Sequence, residues 1–94
     1  GWMAYLEPSG LLFVKRYPVF PERAYAELGP FTLSIWLYQD RFCELEPIGP
    51  AERLAPGASA SFAEDWWLLR HAFPARRDGL DLRALAERVE REAA

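Results

Sequence analysis

The sequence predicts a mainly β protein: an antiparallel sheet, or partial β-sandwich, of about five strands followed by one C-terminal α-helix. Short runs rich in β-branched and aromatic residues are separated by turns rich in Pro and Gly, which is typical of antiparallel strands. After Asp81 the apolar residues recur every three or four positions, which is the period of an amphipathic helix.

The composition is that of one globular domain. The 94 residues are 51% hydrophobic and 27% charged, so we expect a single domain with a β region at 2–73 and a helix at 78–93. A net charge of −3 gives no sign of a nucleic-acid surface, and no apolar run is long enough for a membrane span. We therefore expect no nucleic-acid and no membrane partner, and a cytoplasmic location. One cysteine and one histidine, without metal-ligand spacing, predict no disulfide, metal or cofactor.

The first two strands are predicted at Trp2–Glu7 and Leu11–Tyr17. Pro8, Ser9 and Gly10 lie between them, where Pro restricts φ and Gly permits a positive φ, so these strands should form a hairpin. Several prolines follow in residues 18–30, which exclude this segment from the middle of a sheet. We expect a connection there.

The third and fourth strands are predicted at Phe31–Gln39 and Phe42–Ile48. The short turn around Asp40 determines which side chains share a face. In the predicted register one face is wholly apolar, and the other carries Ser34, Trp36, Tyr38, Glu44 and Glu46. A shift by one residue would place both carboxylates among leucines, at a cost of several kcal/mol.

The fifth strand should lie within Ser59–Phe73, and Pro74 should end it. Both faces of this strand hold a tryptophan, so each face should be at least partly covered by a sheet, a helix or another chain. The helix follows, with Asp78 or Asp81 as its N-cap. Its narrow apolar stripe consists of Leu82, Leu85 and Val89.

The polar face of the central hairpin has the ingredients of a carbohydrate site. Trp36 and Tyr38 offer aromatic rings on which the apolar face of a sugar stacks, and Ser34 offers a hydroxyl. The two carboxylates can accept hydrogen bonds from sugar hydroxyls. The same composition also suits a solvated sheet face, and both interpretations stay open.

Five segments in order, "GWMAY", "LLFVKRY", "CELEPIGP", "LAPGAS" and "EDWWLL", resemble the C-terminal part of the galactose mutarotase-like superfamily. The closest resemblance is to its uncharacterised DUF4380-type family, over residues 2–70. The resemblance implies a β-sandwich that binds sugars, with a strand glutamate as base at the anomeric hydroxyl. Glu46 matches that position, and Glu44 is the second choice. The histidines that the superfamily supplies from earlier strands are missing, so we expect no aldose 1-epimerase turnover from this chain alone.

Two functions follow as hypotheses. The first is a mutarotase-like carbohydrate-binding unit, incomplete as an enzyme, with a sugar as ligand. The second is a non-enzymatic protein-interaction or self-association module. Four tryptophans provide more apolar surface than the core of so small a domain can bury. Several short strands also leave edges unpaired. We therefore expect either a homo-oligomer or a fragment of a larger sandwich, completed by a segment before Gly1.

Overall fold

The computed structural model describes residues 1–26 and 29–94 and confirms the predicted fold class. Five antiparallel strands form two small sheets, and one α-helix follows them. The elements are β1 (Trp2–Glu7), β2 (Leu11–Arg16), β3 (Leu33–Tyr38), β4 (Phe42–Pro47), β5 (Asp65–Arg70) and α1 (Leu82–Glu92). In the described ranges, no helix has the length and apolar character needed to cross a membrane.

The chain divides into two compact units. One consists of Gly1 and Tyr17–Glu64, and contains the β3–β4 sheet. The other consists of Trp2–Arg16 and Asp65–Ala94, and contains the sheet of β1, β2 and β5 together with α1. The prediction of a single domain stays a prediction.

The three-stranded sheet has the order β1-β2-β5, with both pairs antiparallel. The predicted first hairpin is present: the Gly10 amide donates to the Glu7 carbonyl at 2.9 Å. Gly10 has a φ of +88°, which a residue with a side chain rarely adopts. The Gly10 carbonyl accepts from the His71 amide at 3.0 Å, just beyond the end of β5. β2 is therefore the central strand, and it ends at Arg16 instead of the predicted Tyr17.

Helix α1 covers one face of this sheet. Alternate residues of β2, Leu12 and Val14, are fully buried, and residues four apart on the helix, from Leu85 through Val89 to Ala93, pack against them. The surrounding apolar side chains are Trp2, Ala4, Leu6, Trp67, Leu69 and Leu80. The core of this unit lies between α1 and this face of the sheet.

Polar contacts fasten the two ends of α1. Asp81 is the N-cap, and its carboxylate accepts from the Ala84 amide at 2.9 Å, which selects it over the alternative Asp78. Near the other end, Arg16 of β2 donates to the Glu90 carboxylate at 2.7 Å and also to the Ala93 carbonyl. The helix therefore docks through Leu85, Val89 and Ala93 and through an arginine from the central strand. Leu82 of the predicted stripe is 70% exposed, so its predicted place on the packed side is wrong.

The β3–β4 hairpin belongs to the other unit. Its turn is closed by the Arg41 amide, which donates to the Tyr38 carbonyl at 3.1 Å, with Gln39 at a φ of +50°. β3 begins at Leu33, two residues later than predicted, and ends one residue earlier. The Ile48 amide, one residue beyond β4, donates to the Thr32 carbonyl at 3.0 Å. Of the predicted connection at residues 18–30, Glu27 and Leu28 lie outside the described residues.

Candidate interaction surfaces

The structure brings all five predicted site residues together on one face of the β3–β4 hairpin. Ser34 lies opposite Glu46, and Trp36 lies opposite Glu44. Tyr38 lies opposite Phe42, and the two rings stack with their centroids 5.4 Å apart. The predicted register is therefore confirmed. Directly opposite side chains of an antiparallel pair are in contact range, so Trp36 and Glu44 form a neighbouring ring and carboxylate.

This polar face of the hairpin is open. The Trp36 side chain is 58% exposed, and both Glu44 and Glu46 are exposed. An exposed ring beside two carboxylates can stack on a sugar and accept hydrogen bonds from its hydroxyls. The chain's one histidine, His71, belongs to the other unit, so this unit holds no imidazole to act as a general acid.

The opposite face of the hairpin is apolar, and within residues 1–26 and 29–94 it is only partly covered, with Cys43 and Leu45 half-buried. Leu33, Ile35 and Leu37 are exposed, and Leu37 reaches 70%. The sequence predicted which residues share this face, while its exposure was not foreseen. So much exposed apolar surface is unusual for a two-stranded sheet, which alone is only marginally stable.

The sheet of β1, β2 and β5 also has an open apolar face, on the side away from α1. We call it the outer face; its exposed and half-buried apolar residues are Tyr5, Leu11, Phe13, Trp66 and Leu68, and Glu7, Lys15 and Arg70 lie on the same side. Trp66 is 63% exposed and Leu68 is 66% exposed. The Phe13 and Trp66 rings meet edge to face with centroids 5.3 Å apart, and the Lys15 ammonium lies 4.9 Å above the Trp66 ring.

A shallow groove runs across the outer face. Its volume is about 470 Å³, and its lining consists of the five apolar residues just named and Glu7. Glu7 supplies a charged end to this otherwise apolar lining, and its carboxylate accepts a hydrogen bond from the Ser9 hydroxyl. Such concave, apolar surfaces with one polar group are typical of binding sites.

The two neighbouring tryptophans of β5 have different surroundings. Trp67 packs against the core under α1, so the predicted cover is present on that side. Trp66 projects from the outer face, where it contacts Phe13 and Lys15 and remains 63% exposed, so the predicted cover on this side stays a prediction. Alternation along the strand predicted that the two rings point to opposite faces, but it gave no sign of which ring a helix would cover.

The His71 side chain, just beyond β5, interacts with helix α1. Its ring Nδ1 lies 3.1 Å from the Arg88 guanidinium of α1, and Arg88 also donates to the Arg70 carbonyl at 2.5 Å. In residues 1–26 and 29–94, no group of three His, Cys, Asp or Glu side chains could hold a metal ion. The arrangement around His71 joins the end of β5 to the helix.

In comparisons with known proteins, no family model, no curated protein and no solved structure matches this chain. The resemblance to the galactose mutarotase-like superfamily therefore stays a prediction. The same holds for the roles of Glu46 and Glu44 that the resemblance implies. The geometry of the two open sheets is the basis for assigning a function.

Proposed function

We propose that this chain is a non-enzymatic protein-interaction module and that the outer face of the three-stranded sheet is its binding surface. The observation that carries the proposal is the exposure of Trp66 and Leu68 beside Phe13 and Tyr5. An antiparallel sheet with one face on the core usually presents polar residues on its other face. Here the middle of the second face is aromatic and aliphatic, and the charged residues Glu7, Lys15 and Arg70 lie around it.

The composition of the outer face favours a protein partner. Tyr, Trp and Phe are enriched at protein interfaces, and three of the five apolar residues of the outer face are of these types. Contiguous exposed apolar patches in soluble domains mark sites of interaction. Fully burying a leucine contributes about 1.5–3 kcal/mol, so a partner that covers Leu68 gains roughly two-thirds of that amount.

Site-specific photocross-linking tests this proposal. Benzoylphenylalanine is placed at position 68 in cells that produce the chain, and at position 82 as a control, because Leu82 is a leucine of the same unit that is 70% exposed. We expect an adduct of discrete mass from position 68 alone. The adduct should disappear when Leu11→Asp is introduced on the same face. Absence of any adduct from position 68, or equal adducts from both positions, would overturn the proposal.

A second candidate function is carbohydrate binding on the polar face of the β3–β4 hairpin. The observation that favours it is the exposed pairing of Trp36 with Glu44, beside Ser34 and Glu46. Few contacts and an open surface imply weak binding, with a dissociation constant of about 1 mM or more. No mutarotase turnover is expected from this chain alone.

Titration with galactose and glucose, followed by tryptophan fluorescence, tests this second function. We expect a saturable change that Trp36→Ala removes and that Trp66→Ala leaves in place. A silent titration would exclude the sugar site. Polarimetry on freshly dissolved sugar tests turnover: faster anomer exchange that is lost in Glu46→Gln would show that the chain is an enzyme after all.

A further inference from the structure

The outer face carries opposite charges at opposite edges of one row. The strand register aligns Glu7 of β1 with Leu11 of β2 and with Arg70 of β5. The next row on this face is Tyr5, Phe13 and Leu68. Reading across the sheet, the first row therefore runs from negative through apolar to positive, and the second row is apolar throughout.

Glu7 and Arg70 do not pair with each other within one copy. Their backbones lie two strand spacings apart, about 10 Å, and the Glu7 carboxylate accepts from the Ser9 hydroxyl instead. Among the residues that the structure describes, the Arg70 guanidinium has no carboxylate within ion-pair distance. Its side chain is exposed at the edge of the apolar surface. The row therefore has a charge at each end. A surface that carries the reverse order of charges would complement it.

We propose that the partner of the outer face is a second copy of this chain, packed face to face about a two-fold axis parallel to β2. This inference rests on the proposed function of the outer face. The axis exchanges the positions of β1 and β5, so Glu7 of each copy lies opposite Arg70 of the other. The same operation places Tyr5 over Leu68 twice, and Phe13 over Phe13 at the axis. The dimer is a β-sandwich with sheets about 10 Å apart.

The charges distinguish this axis from the alternative. A two-fold axis across the strands, still in the plane of the interface, would place the Glu7 and Arg70 ends of the sheet over the Met3 and Trp66 ends. Arg70 would then approach the Trp66 ring, over which the Lys15 ammonium already lies at 4.9 Å from the ring centre, so like charges would meet. The axis parallel to β2 pairs the two charges reciprocally at the rim, where complementarity determines register.

Lys15 is compatible with this arrangement. It lies on β2 and hence near the axis, but its ammonium is drawn over the Trp66 ring of β5, at 4.9 Å from the ring centre. In the dimer each Lys15 therefore leans toward its own β5, and the two β5 strands lie on opposite sides of the axis. The two ammonium groups diverge from one another.

The size of the face predicts reversible association. Three strands of six residues span an area of about 300 Å² at ordinary strand spacing and rise. In a standard protein interface each partner buries about 800 Å² of accessible surface. A sheet face with so small a footprint therefore belongs to the class of weak contacts. We expect a dimer that forms at high concentration and dissociates on dilution.

Sedimentation equilibrium of the full chain and of charge-reversal variants tests the dimer. Glu7→Arg and Arg70→Glu each place like charges opposite one another twice, so each should weaken dimerisation at least about tenfold. An equimolar mixture of these two variants places opposite charges at both positions. It should form a heterodimer with an affinity close to that of the unchanged chain, as should the double variant. Glu87→Arg, an exposed reversal on α1, is the matched control and should change nothing.

The possible outcomes separate this inference from the proposed function. If Glu7→Arg and Arg70→Glu leave the affinity of dimerisation unchanged, or if their mixture stays monomeric, the two-fold arrangement is wrong. A chain that is monomeric at every concentration, but whose position 68 cross-links to a different protein, overturns the second copy as partner while the interaction module stands. A chain with neither a dimer nor an adduct refutes both. Circular dichroism of each variant verifies that loss of dimerisation is not loss of fold.

Discussion

The carboxylate of Glu90 joins helix α1 to two strands of the three-stranded sheet. It accepts from the Arg16 guanidinium at 2.7 Å and from the Trp2 indole at 2.6 Å. The hydrogen bond from Arg16 is the largest influence and that from Trp2 the next; together they lower the pKa of Glu90 below its ordinary value. Folding therefore favours the ionised form of this side chain.

This cluster predicts a pH dependence of stability. Since the pKa of Glu90 is lower in the folded chain than in the unfolded chain, its contribution to stability is fully present above the ordinary pKa of an unfolded glutamate. The contribution is lost as the pH falls through the folded value. We expect Glu90→Gln to lower the thermal midpoint at neutral pH and the two midpoints to converge in acid. A difference that stays constant over the whole pH range would contradict this role.

The matched control for that measurement is Glu87→Gln. Glu87 pairs with Arg83 at 3.1 Å on the exposed side of the same helix. Exposed i,i+4 ion pairs contribute little, about 0.3–0.5 kcal/mol. Its thermal midpoint should therefore lie close to that of the unchanged chain at every pH.

At the scale of elements, helix α1 depends on its N-cap. Asp81 accepts from the Ala84 amide at 2.9 Å, whereas Asp78 pairs with the exposed Arg76 in the preceding turn. We expect Asp81→Ala to lower the free energy of unfolding by about 0.5–2 kcal/mol, as N-cap removal usually does. Asp78→Ala should have a clearly smaller effect. Urea unfolding followed by circular dichroism measures both, and equal losses would show that the cap is misassigned.

The two sheets should differ in their protection from hydrogen exchange. β2 is paired on both edges and carries the fully buried Leu12 and Val14. β3 and β4 form a two-stranded ribbon with exposed side chains on both faces, which opens easily. Hydrogen exchange followed by mass spectrometry should show the slowest amides in β2 and faster exchange in β3 and β4. The reverse order would contradict the assignment of the core.

The sequence predicted the strands and the helix better than it predicted which faces of the strands would be buried. Turn chemistry at Gly10 and the cost of burying Glu44 and Glu46 were local constraints, and both hairpins formed as expected. Alternation also separated Trp66 from Trp67. Which of those two rings α1 would cover depends on where the helix docks, and that is determined by contacts distant in sequence. The role of Arg16 as an anchor for Glu90 was missed for the same reason: 74 positions separate the two residues.

At the scale of the whole molecule, the chain has more apolar surface than its core conceals. Exposed aromatic and aliphatic side chains occur on the three-stranded sheet and on both faces of the hairpin. Each exposed strand edge is in addition a template for pairing with another chain. These features explain why association is the expected behaviour, and the reciprocal positions of Glu7 and Arg70 explain why a second copy is the proposed partner.

Labelling of a single thiol on the outer face tests whether the chain associates through that face. Cys43→Ser removes the native thiol, and Leu68→Cys or, as the control, Leu82→Cys introduces a new one. The rate of reaction with a maleimide is then measured in dilute and in concentrated protein. We expect position 68 to react more slowly in concentrated protein and position 82 to react at the same rate in both. Equal rates at position 68 in dilute and concentrated protein would contradict this expectation.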